Sequence, residues 1–283
     1  MTIVATDSSC DLNYLLKDRN IPFIPIYVIM NGEEYHDGID ITPEDIFKNV
    51  KETKKLPKTS ALSENDYEEF FKKLTANGDD VVYIGLSSKL STSYNNSINA
   101  AKKFNGKVHI VDGKNLSTGT GLNVLYAKDL ADKGLPADEI AKKVEERVPF
   151  VQASFIFQEV EYLWRGGRLS TLSMLGANLL KIKPQIEVVD GEMKNTAKPR
   201  GKMVPVLKEY IDRMLATYNN PDTTRCFITH SSIEPEIAEE MVNYVKSKGI
   251  FKEVYNTVAG ATITSHCGKG TLGILYFNDG DHE

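Results

Sequence analysis

The segment that decides the fold is Val81-Val-Tyr-Ile-Gly-Leu86, which continues directly into Ser87-Ser-Lys-Leu-Ser-Thr-Ser-Tyr94. Its first six residues form a short apolar run that predicts a buried strand. A helix is predicted over residues 95–104, and the hydroxyl-rich turn joins the two elements. A strand, a turn and a helix in this order are typical of βαβ units and a mainly parallel sheet.

The same alternation extends on both sides of this segment. Further strands of the first half are predicted at residues 3–6, 23–29 and 108–111. Helices are predicted to begin at Thr42, which precedes Pro43 and two acids, and at Ser63, which starts a capping box. The pairs Asn31-Gly32 and Asp37-Gly38 predict a hairpin or turn. A helix over residues 137–147 is predicted to carry a solvated, charged face.

A second set of strands and helices follows residue 150. Strands are predicted at residues 151–157, 182–189, 226–229, 254–258 and 271–277, and long helices at 202–218 and 235–248. We therefore predict an α/β protein with two domains, 1–150 and 151–283. The first should have a mainly parallel sheet between two layers of helices, and the second a mixed sheet.

The composition of the chain excludes some classes of binding partner. The 283 residues are 41% hydrophobic and 26% charged, and the formal net charge is −5 without a basic run, so nucleic acid is not expected to bind. The longest apolar stretch, residues 21–30, is interrupted by Pro25 and is shorter than the roughly 20 residues of a membrane helix. No transmembrane segment is predicted. The first residues predict a strand and not a signal peptide, so we expect a cytoplasmic protein.

Metal binding is not predicted. The three cysteines, Cys10, Cys226 and Cys267, are far apart in the sequence. The five histidines show no spacing typical of metal ligands. We expect neither a metal nor a cofactor.

Four segments at predicted strand or helix ends are rich in hydroxyls, glycine or arginine, namely residues 57–60, 87–94, 165–168 and 265–271. Ligands of α/β proteins lie at the carboxyl ends of the strands, where such donors suit an anion. The alternatives stay open for each segment taken alone. Ser91 could only cap the following helix, Thr59 and Ser60 could only form a turn, and Arg168 and His266 could lie in loops without a chemical role.

Several enzyme signatures are absent from the sequence. Gly268-Lys-Gly270 is not a P-loop, because Gly270 stands where Ser or Thr should follow the lysine. Gly119-Thr-Gly121 is not a dinucleotide fingerprint, since Val124 occupies the position of the third glycine. No Gly-x-Ser-x-Gly elbow occurs. The sequence predicts an anion site without a nucleotide site.

Taken in order, the motifs resemble those of the DegV family along the whole chain. They are Asp7-Ser-Ser, Lys58-Thr-Ser60, Ser88-Lys-Leu-Ser-Thr-Ser-Tyr94, Gly166-Gly-Arg168, Leu180-Lys-Ile-Lys-Pro184 and Ser265-His266. The chain departs from the family pattern at several positions. Thr92 replaces a glycine that would let the backbone approach a carboxylate closely, and Lys269 replaces a proline.

The resemblance implies a protein that holds a long-chain fatty acid, such as palmitate, in a tunnel between or beside the two domains. Thr59 and Ser91 match the family's carboxylate ligands, and Ser60 and Thr92 lie next to them. The resemblance further implies that a separate kinase subunit of fatty acid metabolism phosphorylates the bound acid. Arg168 and His266 match positions implicated in that phosphoryl transfer or kinase contact. On this view the chain alone has no catalytic activity.

Two other functions remain open. A hydrolase or acyltransferase would use Ser91 as nucleophile and His266 as base, although no third group is identifiable. A carrier of another amphipathic carboxylate, without a kinase, would show the same sequence features.

Overall fold

The structure is a computed structural model that describes residues 1–158, 161–167 and 182–281. The strands of the first half are β1 (Thr2–Asp7), β2 (Phe23–Ile24), β3 (Tyr27–Met30), β4 (Glu33–His36), β5 (Lys58–Ser60), β6 (Asp80–Gly85) and β7 (Val108–Asp112). Its helices are α1 (Tyr14–Asp18), α2 (Pro43–Thr53), α3 (Glu64–Leu74), α4 (Ser93–Ala101), α5 (Ser117–Asp132) and α6 (Ala137–Arg147).

The second half contains strands and helices in both described segments. Its strands are β8 (Val151–Ile156), β9 (Gln185–Val189), β10 (Glu192–Ala197), β11 (Arg225–Ser231), β12 (Glu253–Val258) and β13 (Thr271–Phe277). Its helices are α7 (Glu161–Gly166), α8 (Met203–Thr217), α9 (Pro235–Ser247) and α10 (Ala261–Cys267).

The first half is built on a parallel sheet with the strand order β2-β1-β6-β7. Tyr67 and Phe71 of α3 pack on one face of this sheet. Leu122 of α5 and Val144 of α6 pack on the other face. Helices therefore cover both faces, and the predicted α/β class with a three-layer first half is confirmed.

The second half is built on a six-stranded mixed sheet with the order β10-β9-β8-β13-β11-β12. Within it β11 and β12 are parallel, and the other described pairs are antiparallel. Residues of α8 and α9 form a core with β11 and β13 on one face. The opposite face contributes to a core that also contains α5 and α6. The predicted mixed sheet is confirmed.

A small antiparallel sheet with the order β4-β3-β5 lies beside these two. The prediction of one continuous strand over residues 23–29 was wrong, because the chain leaves the parallel sheet at Pro25 and β3 pairs elsewhere. Proline has no N–H to donate to a ladder. The predicted turn at Asn31-Gly32 is confirmed as the β3–β4 hairpin, and both residues have positive φ, as a two-residue hairpin requires.

Helices α2 and α3 begin at the residues that their capping sequences predict. Thr42 and Asp45 form a reciprocal capping box at α2, and Ser63 and Asp66 form another at α3. Helix α6 has the predicted bounds. Helix α5, by contrast, was missed by the sequence analysis.

The chain passes from the first half to the second at a short 3-10 turn, Val148–Phe150, just before β8. One hydrophobic cluster crosses this point. It joins Leu125 of α5 and Val144 of α6 to Phe155 of β8 and Leu275 of β13. The two halves thus share part of their core.

Candidate ligand-binding site

A cavity of about 310 Å³ lies where the two halves meet. Its walls come from the turn after β6, from β5, from the start of α5, from the ends of β8 and β11 and from α10. The turn after β6 is the carboxyl end of a central parallel strand, where α/β proteins bind ligands. The segment that decides the fold therefore also contributes to the cavity.

Thr59 and His266 are in contact at the wall of this cavity. Thr59 lies on β5 opposite Val28, and its Oγ1 is 2.8 Å from Nε2 of His266, near the end of α10. The alternatives of a turn at Thr59 and a loop at His266 were wrong, because Thr59 lies in a strand and His266 in a helix. Because a strand and a helix fix the directions of their side chains, two residues that are 207 positions apart can form this hydrogen bond.

Ser91 lines the same cavity and is hydrogen-bonded to Ser93, the first residue of α4. Its Oγ accepts a hydrogen bond from the Ser93 backbone N–H at 3.2 Å and donates to Ser93 Oγ at 2.9 Å. Ser93 Oγ in turn accepts from the Leu62 N–H at 3.2 Å. This network connects the turn after β6 to the residues just after β5, so it holds Ser91 on the same side of the molecule as Thr59.

Ser60 and Thr92, the other two predicted carboxylate ligands, line the cavity and are exposed. Lys89, which the sequence analysis did not single out, also lines it and is exposed. No aspartate or glutamate is present among the described lining residues. A wall of hydroxyls, histidine and one lysine suits an anionic group.

The end of α7 lies against His266. A Cβ on Gly166 would be 2.6 Å from Nδ1 of His266, so only a glycine fits at this position. Gly167 follows with a φ of +67°, which also favours glycine. Arg168, the predicted partner of His266 in phosphoryl transfer, lies outside the described residues.

The rest of the wall is largely apolar and comes from both halves. It includes Ile26, Leu86, Leu90, Leu116, Phe155, Phe157, Leu163, Met193 and Ile263. None of these residues was predicted to line the cavity. Buried apolar side chains look alike in a sequence whether they contact a ligand or the core. Only Leu90, an apolar residue within a hydroxyl-rich turn, has a local sequence context that could have indicated contact with a ligand.

The geometry bears on the hydrolase alternative. A serine nucleophile needs a base within hydrogen-bond reach. The hydroxyl of Ser91 is hydrogen-bonded to Ser93, and Nε2 of His266 is hydrogen-bonded to Thr59. This arrangement favours binding over catalysis by Ser91 and His266.

Among residues 1–158, 161–167 and 182–281, no three His, Cys, Asp or Glu side chains are grouped to hold a metal ion. Over the same ranges, no helix has the length and apolar character of a membrane span.

A parallel sheet and a mixed sheet share a cavity with a largely apolar surface, to which hydroxyls, histidines and Lys89 add polar groups. These features define an α/β protein whose internal cavity suits an amphipathic anion. Comparison with known proteins identifies the family. A family model described as uncharacterised protein, DegV family, matches residues 1–279. The chain belongs to the DegV family.

Its relatives resemble it along their full length. A DegV domain-containing protein of Clostridium perfringens is 31% identical over 288 residues, which cover 98% of this chain and 97% of the relative. A DegV family protein of Thermus thermophilus, described by its fatty acid binding, has 27% identity and a TM-score of 0.90 over 98% of this chain and 99% of its own. DegV of Bacillus subtilis, described as a fatty acid binding protein, has 25% identity and a TM-score of 0.85 over 98% of both chains.

Proposed function

We propose that this protein binds a long-chain fatty acid, with the acyl chain in the apolar part of the cavity and the carboxylate at Thr59 and Ser91. The observation that carries the proposal is the cavity itself, in which an apolar wall meets the Thr59–His266 pair and Ser91. The fatty acid binding of the Thermus and Bacillus relatives supports the choice of ligand. The fatty acid is the only ligand proposed, without a metal or cofactor.

The energetics are compatible with this ligand. Burial of about fourteen methylene groups at about 0.8 kcal/mol each contributes on the order of 10 kcal/mol before the cost of association is subtracted. Each hydrogen bond to the carboxylate adds roughly 1.5 to 3 kcal/mol. The acyl chain therefore sets most of the affinity, and the hydroxyls determine which end of the ligand lies near the polar wall.

The contact between Thr59 and His266 suggests how a neutral wall can hold the anion. When Nε2 of His266 carries a proton, it donates to Thr59 Oγ1. The proton of the Thr59 hydroxyl is then available to the carboxylate, so the histidine orients the donor. Ser91 Oγ can donate to the carboxylate in place of Ser93.

We further propose that the bound acid is presented to a separate ATP-dependent kinase subunit in the cytoplasm. In that reaction a carboxylate oxygen forms a bond to the γ-phosphorus of ATP, the bond between that phosphorus and the ADP oxygen breaks, and acyl phosphate results. Hydroxyl ligands suit a carboxylate that must react, because an arginine salt bridge would stabilise the ground state as well. Arg168 and His266 are assigned to the transfer or to kinase contact.

The test is native mass spectrometry of the purified protein, followed by extraction and identification of the bound molecule. We expect a stoichiometric fatty acid, and we expect the double variant Thr59→Ala, Ser91→Ala to lose most of it. The matched control is Thr75→Ala, Ser247→Ala, which removes two hydroxyls that bond to helix carbonyls outside the cavity wall. This control should keep the ligand.

Other outcomes would identify the alternatives. A protein that is empty and takes up no added fatty acid would refute fatty acid binding. A different amphipathic carboxylate in the extract would support the carrier without a kinase. Steady hydrolysis of acyl esters that Ser91→Ala abolishes would establish the hydrolase.

A further inference from the structure

Two aspartates of the first half contact the start of α10 in the second half. Gly260 precedes this helix and has no side chain to cap it. The N–H of Gly260 donates to Oδ1 of Asp11 at 2.8 Å, and the N–H of Ala261 donates to Oδ1 of Asp37 at 2.7 Å. Because the first N–H groups of a helix have no partner within it, these carboxylates replace the missing cap.

The same aspartates are tied to the cavity wall. Oδ2 of Asp11 accepts a hydrogen bond from Ser117 Oγ at 2.5 Å. The backbone N–H of Asp37 donates to the Ile26 carbonyl at 3.0 Å. Ser117 and Ile26 both line the cavity. The position of α10 is thereby set relative to two other parts of the wall.

The carboxylates of Asp11 and Asp37 lie close to Gly260. A Cβ on Gly260 would lie 3.0 Å from Oδ1 of Asp37 and 3.3 Å from Oδ1 of Asp11. The φ of Gly260 is −67°, which any residue can adopt, so the glycine is needed here for space and not for backbone conformation. An added methyl group would fit only if the carboxylates shifted by a few tenths of an ångström.

His266 lies near the opposite end of α10, about 8 Å from Ala261 at the helical rise of about 1.5 Å per residue. A helix this short moves largely as a unit. A change in the position of its first turn therefore changes the distance between Nε2 of His266 and Oγ1 of Thr59 on β5.

We propose that Asp11 and Asp37 are positioning residues, which hold the first turn of α10 across the two halves and thereby set His266 against Thr59. This inference rests on the proposed function for its meaning, since His266 and Thr59 are there the residues that orient the carboxylate of the fatty acid.

Both aspartates are deeply buried and are held by hydrogen bonds. Asp11 and Asp37 are 2% and 1% exposed, and neither forms an ion pair with a lysine or arginine of the described chain. Burial raises the pKa of Asp11, and the nearby charges of Asp37 and Asp7 raise it further. We call Asp7, Asp11 and Asp37 the carboxylate cluster. Each carboxyl group supplies an acceptor oxygen for a backbone N–H at the helix start, which Gly260 cannot supply.

The experiment compares Asp37→Leu with the conservative Asp37→Asn, which keeps an acceptor oxygen. The first readout is the imidazole ¹⁵N NMR spectrum of His266 in ligand-free protein, where the hydrogen bond at Nε2 shifts the resonance. The second is the Kd for palmitate. We expect Asp37→Leu to lose the Nε2 signature and to raise the Kd about tenfold, while Asp37→Asn retains the signature with a Kd within about threefold of wild type.

The control is Asp222→Leu, which removes a buried carboxylate that is not part of the cavity wall. It should lower stability and leave the His266 resonance unchanged. A folded Asp37→Leu protein with an unchanged His266 resonance and Kd would overturn the inference.

If Asp37→Leu does not fold, Gly260→Ala decides the question, because it keeps both carboxylates and requires them to shift relative to the start of the helix. A changed His266 resonance supports the inference, and an unchanged one overturns it. The NMR readout needs no ligand. A wild-type protein that binds no palmitate would thus refute the proposed function, while His266 would still report on the role of the aspartates.

Discussion

The carboxylate cluster and a second buried group of acids differ in what holds them. In the second group, which we call the arginine cluster, the guanidinium of Arg147 pairs with Asp222 and Asp279. Arg147 also lies 3.8 Å from the ring centroid of Phe277. Among the residues that the structure describes, no lysine or arginine pairs with the carboxylate cluster. Its members accept hydrogen bonds from backbone N–H groups and hydroxyls.

The pKa values of the two clusters shift in opposite directions. Burial alone would raise the pKa of Asp222, but hydrogen bonds from Thr224 and Arg147 and the charge of Arg147 lower it. Burial raises the pKa of Asp7 and Asp37, and it raises the pKa of Asp11 well above its usual range despite bonds from Ser117 and Gly260. A nearby cation outweighs burial, whereas neutral donors alone do not.

The largest expected effect is the loss of the cation that defines the arginine cluster. Arg147→Met removes the cation that pairs with Asp222 and Asp279, so we expect a loss of about 3 to 5 kcal/mol in the free energy of unfolding. Urea denaturation measures this loss in the free energy of unfolding. The control is Lys143→Met on the same helix, whose 3.9 Å pair with Glu139 is exposed and should contribute less than about 0.5 kcal/mol. Equal losses in the free energy of unfolding would mean that Arg147 stabilises the protein no more than an exposed ion pair does.

A smaller effect is expected when one donor to the carboxylate cluster is removed. The Tyr83 hydroxyl is buried, donates to Oδ2 of Asp7 at 3.0 Å and lies 3.0 Å from the Tyr67 hydroxyl. Tyr83→Phe should lower the free energy of unfolding by roughly 1.5 to 3 kcal/mol.

The matched control for this variant is Tyr255→Phe. Its hydroxyl donates to Glu253 at 2.6 Å in an exposed position, and the change should be about 0.5 kcal/mol or less. If Tyr83→Phe did not lower the free energy of unfolding, the Tyr83 hydroxyl would not be needed to stabilise the buried carboxylate of Asp7.

The smallest effect concerns pH. The folded-state pKa of Asp11 is raised, so its contribution to stability is greatest below the usual pKa of 3.8 and is lost as the pH rises through the raised value. Asp222 has a lowered pKa, so its contribution is present above 3.8 and is lost as the pH falls. The carboxylates of Asp7 and Asp37 face Asp11 and add to its shift.

Denaturation of Asp11→Asn and Asp222→Asn between pH 3 and pH 8 tests these signs. Relative to wild type, Asp11→Asn should gain stability as the pH rises, and Asp222→Asn should lose it. If the stability of the two variants changed with pH in the same direction, the opposite pKa shifts of Asp11 and Asp222 would be contradicted.

The sequence predicted those parts of the fold that depend on local signals. Thr42 and Ser63 could be assigned as helix starts because their capping partners are only three residues away. Helix α5 was missed because it is buried on almost every side. Its polar first residues, such as Thr118 and Thr120, are as buried as Leu122, so no one-sided apolar pattern exists.

The site was predicted only as separate residues. The hydroxyls of Thr59 and Ser91 and the side chain of His266 do line one cavity, but the hydrogen bond between Thr59 and His266 depends on tertiary structure. Asp7 was quoted for the resemblance to the family without a role, and Asp11 and Asp37 were not identified as partners of α10. Nothing near either residue in sequence indicates a contact with residues 260 and 261.

The hydrophobic cluster that joins α5 and α6 to β8 and β13 has a consequence for how the chain unfolds. Each half contributes side chains to an interior that neither can complete alone, so exposing that interior in one half exposes it in the other. We therefore expect a single cooperative heat-absorption peak in calorimetry, with matching calorimetric and van't Hoff enthalpies. A fragment that ends at residue 150 should, for the same reason, expose the apolar faces of α5 and α6 to water and aggregate.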